Sequence, residues 1–188
     1  MKKVKISTVI TVLLGVLVIA TFVSPDLKAW MTQGLMEQPA TDPVGASARP
    51  LNPSMFVSDG AGNRMDVANQ SGKVVFINFW ATWCPPCIAE LPSIDKLYQQ
   101  FKDHEDVVFA MVDVDSQYEK SKQFMDNKKL GLPVHIMSGE IPAGWLGNAI
   151  PTTLILDKKG QVAARHEGTA DYSRPEVAAF INELIAAD

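Results

Sequence analysis

The chain has 188 residues, 47% of them hydrophobic and 20% charged, which is enough for one globular domain with a segment to spare and too little for two ordinary ones. A formal net charge of −4 with scattered lysines provides no basic field for nucleic acid, so no nucleic-acid partner is expected. Two cysteines cannot staple a miniature fold, and the Val, Ile, Leu and Phe content must supply a core instead.

Residues 6 to 23 carry no charge and follow Lys2, Lys3 and Lys5. As a helix this run measures ~27 Å, close to the hydrocarbon thickness of a bilayer. Lysines before it place the N-terminus in the cytoplasm and everything downstream on the far side. A cleaved signal peptide is the competing reading, but no clean small-x-small site follows: Phe22-Val23-Ser24-Pro25 is poor and Leu27-Lys28-Ala29 is weak. The expectation is a retained signal anchor over residues 1–23. In a bacterium either reading puts the rest of the chain in the periplasm or on the outer face of the inner membrane, where a disulfide can persist. Residues 24–53 lose periodicity and bring in Pro39, Pro43, Pro50 and Pro53, which reads as a tether.

The head, residues 54–188, alternates strand and helix signals and is expected to be monomeric. Val74 to Trp80 is a continuous apolar run of strand length, as for a strand covered on both faces. A helical pattern with Ile88, Leu91, Ile94, Leu97, Tyr98 and Phe101 on one side follows, and Pro92 within it should produce a kink. A second apolar strand, Val107 to Val114, arrives without a hairpin turn, so the unit is a right-handed parallel crossover. Tyr118 to Lys129 suits a more polar helix. Thr152 to Leu156 and Gln161 to His166 read as strands joined through Asp157-Lys158-Lys159-Gly160. Ser173-Arg174-Pro175-Glu176 has the form of a capping box before a helix whose buried face is Val177, Phe180, Ile181, Leu184 and Ile185. The fold class is α/β, a central mixed sheet with helices on both faces.

Both cysteines fall in Trp83-Cys84-Pro85-Pro86-Cys87. Such a pair can be a structural bridge, half of a metal site or a redox couple. A bridge closing so short a loop would constrain the unfolded chain little. A metal site needs two more ligands, and His104, His135 and His166 stand at no companion spacing, so neither metal nor other cofactor is expected.

The stretch Phe79-Trp80-Ala81-Thr82-Trp83-Cys84-Pro85-Pro86-Cys87, with Pro92 beyond it and Ile150-Pro151-Thr152-Thr153 before the hairpin, resembles the thioredoxin fold. More narrowly it resembles the membrane-anchored TlpA/ResA/DsbE-like thiol-disulfide oxidoreductases, over residues 54 to 188. Their N-terminal anchor and their extra sequence between Val114 and Ile150 fit as well. The resemblance implies reduction of exported thiol proteins, such as apocytochrome c before haem attachment, with electrons from a membrane thiol donor. A thiol peroxidase of the same fold would carry its reactive cysteine in another motif, and a non-catalytic docking module would tolerate loss of both cysteines.

Only a thiolate attacks a disulfide. Cys84 falls at a strand-to-helix junction, where unpaired N–H groups and the helix dipole favour an anion. Cys87, one turn in, is then the resolving thiol. Pro85 and Pro86 withdraw two N–H donors from that site and add no cation, so the couple is expected to be reducing. Where many thioredoxins bury an acid on the central strand, this chain has Asn78, and a neutral amide cannot take a proton from Cys87. Glu90, where ResA-like proteins also have a Glu, is the expected base or pKa-tuning group; the alternative is a solvated first-turn Glu that complements the dipole. By the resemblance, Pro151 follows a cis bond and leaves the Ile150 backbone free to pair with an extended substrate; a strand-starting proline is the plainer reading. Trp80 is expected in the core and Trp83 exposed beside the sulfur, as a docking surface.

Overall fold

A computed structural model describes residues 53–187. The anchor and all but the last residue of the tether lie outside them. Among the described residues, no helix is long and apolar enough to cross a membrane.

The elements run β1 Phe56–Ser58, β2 Arg64–Asp66, β3 Val74–Trp80, α1 Pro85–Phe101, β4 Val107–Asp113, α2 Tyr118–Asn127, β5 Val134–Met137, β6 Thr152–Leu156, β7 Val162–Glu167 and α3 Pro175–Ala186. The sheet order is β2-β1-β5-β4-β3-β6-β7. β3 pairs parallel with β4 and antiparallel with β6, so the sheet is mixed and β3 lies inside it. Every residue of β3 is buried, which is why its sequence is a nearly unbroken apolar run.

Side chains alternate between two cores. Val74, Phe76 and Trp80 join Leu91, Ile94 and Leu97 of α1, Met125 of α2 and Val177 and Ile181 of α3. Val75, Ile77 and Phe79 face the other way, onto Met55, Val67, Ala68 and Trp145. The expectation of helices on both faces is therefore met on one. Buried side chains of all three described helices enter the first core, and non-helical segments cover the second. Each buried Leu or Ile of α1 contributes about 1.5–3 kcal/mol.

α1 is a continuous helix that includes Pro92, with its neighbours Leu91 and Ser93 buried. Two further expectations change. The capping box does not form: Arg174 is the N-cap of α3 without a side-chain bond, and Ser173 Oγ donates instead to Asp171 Oδ1 at 2.7 Å. Ser173 is thus held by an acid two residues back before it can serve the helix. Strands β1, β2 and β5 were not expected at all. β1 and β2 form a hairpin whose turn is organised by Asp59, which accepts from the N–H groups of Ala61 and Asn63, both at 2.9 Å.

This turn leans on α2. A Cβ built on Gly60 would lie 2.2 Å from Tyr118 Cε1, so the ring must move to admit one. Gly60→Ala is expected to cost about 1–3 kcal/mol by overpacking. Urea unfolding checks this, and an unchanged midpoint would mean that Tyr118 moves freely.

Candidate active site

The carboxyl end of β3 delivers the chain to Cys84, whose extended backbone makes it the N-cap of α1. Pro85 and Pro86 occupy the first helical turn, where a fixed φ suits the helix and no intrahelical N–H is lost. The first available donor is the N–H of Cys87, and it donates to Cys84 Sγ at 3.3 Å. Cys84 and Cys87 are joined as a disulfide. Cys84 keeps 3% of its surface exposed and Cys87 none, so only the first sulfur can be approached from outside.

Two flanking segments frame this edge. The Ile150-Pro151 bond is cis, and the Ile150 carbonyl oxygen stands 3.8 Å from Cys84 Sγ. The Pro151 carbonyl accepts from Gly168 N–H at 2.9 Å, which ties the segment after β7 to the loop before β6. On the other side Trp83 is 58% exposed, and its indole N–H donates to Asp115 Oδ2 at 2.5 Å. Trp80 is fully buried. Asp115 is set by the turn after β4: buried Asp113 accepts from Asp115 N–H, Gln117 N–H and Ser121 Oγ at 3.0, 2.8 and 2.9 Å.

Beneath the disulfide lies a buried polar cluster. Glu90 has no exposed surface, which overturns the reading of it as a solvated first-turn acid. Its Oε1 accepts from Asn78 Nδ2 at 2.8 Å and its Oε2 from Ala170 N–H at 3.2 Å. Burial pushes its carboxyl up to about 8, against a partial lowering by those two donors. Asn78 Nδ2 also donates to Thr153 Oγ1 at 2.9 Å. Glu90 stands one turn beyond Cys87, both on the buried side of α1.

The fold thus gathers Trp83, Cys84, Cys87, Ile150 and Pro151 at one edge and puts Glu90 behind them. Asp115, Thr153 and Ala170 belong to the same constellation and went unread in the sequence. The signal for Asp115 was available: an acid just past a buried parallel strand lies at the end of the sheet where ligands bind. Thr153 and Ala170 carry no such signal, because they act through sheet pairing and a backbone N–H.

A comparison with known families matches residues 43–181 to Redoxin. The chain belongs to the Redoxin family. It is 34% identical over 127 residues to the thioredoxin-like protein YneN of Bacillus subtilis, covering 67% of this chain and 75% of YneN. It is 35% identical over 111 residues to the thiol-disulfide oxidoreductase ResA of Bacillus thuringiensis, covering 58% of this chain. There it spans 64% of the relative's length, just under two thirds. Among solved structures, a putative thiol-disulfide oxidoreductase from Bacteroides vulgatus superposes with a TM-score of 0.59 at 26% identity, covering 73% of this chain and 99% of that one. StoA of Bacillus subtilis, at 22% identity and a TM-score of 0.57 over 70% of this chain and 98% of StoA, shares the fold.

Proposed function

We propose that this chain is a thiol-disulfide oxidoreductase that works on the outer side of a bacterial inner membrane and reduces disulfides in other exported proteins. The observation that carries this reading is the Cys84–Cys87 pair at the N-cap of α1, with the Ile150-Pro151 segment against its accessible sulfur. In the reduced chain the Cys84 thiolate attacks a substrate disulfide, forms a mixed disulfide and expels one substrate thiolate. Cys87 passes its proton to Glu90 and attacks Cys84 Sγ, which releases the second substrate thiolate and closes the intramolecular bond. Two electrons pass to the substrate. A membrane dithiol donor then resets the chain: its first thiolate attacks Cys84 Sγ and expels Cys87, which recovers the proton from Glu90, and its second thiol displaces the Cys84 thiolate and leaves the donor oxidised to a disulfide.

Burial supports this use of Glu90, because a carboxyl near 8 is matched to a free thiol, so the proton passes between the two at little cost, and the ionised minority at neutral pH, about a tenth, is the form that accepts it. Pairing of an extended substrate segment with the Ile150 backbone supplies binding without demanding one sequence, and exposed Trp83 adds an apolar contact. The charge-free run at residues 6–23 supports a membrane anchor for the head, and the TlpA/ResA/DsbE-like resemblance supports a place in cytochrome c maturation.

The direction is testable. With two prolines in place of N–H donors, the Cys84 thiolate has few stabilising partners, and the couple is expected below about −200 mV, on the reducing side of glutaredoxin-like pairs. Equilibration of the full-length chain with glutathione buffers measures this. A value near about −120 mV, that of a strong oxidant, would reverse the assigned direction. Stoichiometric reduction of a model protein disulfide by the reduced chain is the companion assay, and failure to reduce it would refute the activity.

A further inference from the structure

Asn78 occupies the middle of β3, the residue opposite Thr153 of β6 in the sheet register, and it has no exposed surface. Its neighbours two residues away on either side, Phe76 and Trp80, face the core that α1 packs on, so Asn78 faces the cysteine helix as well. The amide commits both N–H groups: one to Glu90 Oε1 at 2.8 Å, the other to Thr153 Oγ1 at 2.9 Å. Its Oδ1 is left buried with no partner. An orphaned acceptor in a core is costly, so this orientation persists because the two donors are needed where they are.

We propose that Asn78 is a positioning residue that governs the proton on Glu90: by donating to Oε1 it keeps the buried carboxyl able to ionise and thus to accept a proton from Cys87. The reasoning is one of donors and acceptors. A carboxylate can only accept, and Glu90 is met by two donors, Asn78 Nδ2 and Ala170 N–H, on its two oxygens. Both favour the anion against the desolvation that opposes it. Ala170 is backbone and cannot be varied, so the side chain through which the sequence adjusts this balance is Asn78. Of the titratable groups facing Glu90, Cys87 comes from α1 itself and Tyr172 from the segment after β7. Burial and the Glu90 charge hold the Tyr172 hydroxyl well above the usual tyrosine range, so it stays neutral throughout.

The inference rests on the proposed exchange reaction, and two readouts separate them. The first is the Glu90 carboxyl titration in the oxidised full-length chain, followed by carbon NMR. Asn78→Leu, which removes the donor and keeps the branching of the side chain, is expected to raise the midpoint by about one pH unit. Asn78→Asp, isosteric but without the donor, should also raise it and split the titration into two coupled steps, and it serves if the leucine variant does not fold. An unmoved midpoint in either folded variant overturns the inference. The second readout is the pH profile of mixed-disulfide resolution by Cys87. Its rate at pH 7 should fall about tenfold in Asn78→Leu and recover at alkaline pH, with no further effect once Glu90 is Gln. A shifted Glu90 midpoint with an unchanged resolution profile would uphold the hold of Asn78 on Glu90 and remove Glu90 from the reaction.

Discussion

Replacing Cys84 with serine is expected to lower disulfide exchange by about 10³-fold or more, because a hydroxyl at neutral pH is no substitute for a thiolate nucleophile. The fold should tolerate the change. Cys84 is the N-cap of α1 and accepts from Cys87 N–H, and serine is among the preferred residues for that duty. Loss of activity would then be chemical rather than structural, a point that circular dichroism and urea unfolding check. Cys87→Ser should behave differently. It leaves the first attack intact and removes the group that resolves it, so the chain accumulates as a mixed disulfide with its substrate. Full exchange activity in Cys84→Ser would refute the redox reading altogether.

The second large effect concerns Glu90. The folded chain keeps its proton up to about pH 8, whereas an unfolded chain releases it near 4.5. The folded state therefore binds more protons through that interval. Its contribution to stability is complete below 4.5 and is lost as pH rises through 8, by an amount on the order of a few kcal/mol. Glu90→Gln cannot ionise, so the variant should lose this pH dependence and gain on the parent chain as the medium becomes alkaline. At acid pH it should be less stable by about 1 kcal/mol, since Asn78 and Ala170 both donate and one of them would meet the new amide donor. Urea unfolding from pH 5 to pH 9 checks both limits, and parallel curves would mean that Glu90 does not change charge there. In the reaction, the same variant should slow resolution by Cys87 by about 10²-fold near neutral pH.

What the sequence made legible follows from length scale. β3 announces itself because all of its residues are buried, and α1 because its apolar face repeats over several turns. The three-residue strands β1 and β2 are too short to show a period, and β5 is only four residues long with one buried position. The motif cysteines and Trp83 were readable from local order along the chain, and Pro151 from the family resemblance. The cluster around Glu90 was only half so. Its acid was found by helical spacing from Cys87, but its burial depends on Asn78, Thr153 and Ala170, brought together from β3, β6 and the segment after β7. The capping box failed for a related reason, since Asp171 takes the hydroxyl of Ser173 and the motif contains no hint of that competitor.

Identification of the sulfur that holds the substrate tests the assignment of roles most directly. The reduced full-length chain, as Cys84→Ser and as Cys87→Ser, is exposed to a model protein disulfide, quenched with acid and mapped by tandem mass spectrometry. The account expects a substrate peptide joined to Cys84 in the Cys87→Ser chain and essentially no adduct in the Cys84→Ser chain. Adducts forming at Cys87 in the Cys84→Ser chain at a comparable rate would contradict it, because the buried sulfur would then be the nucleophile.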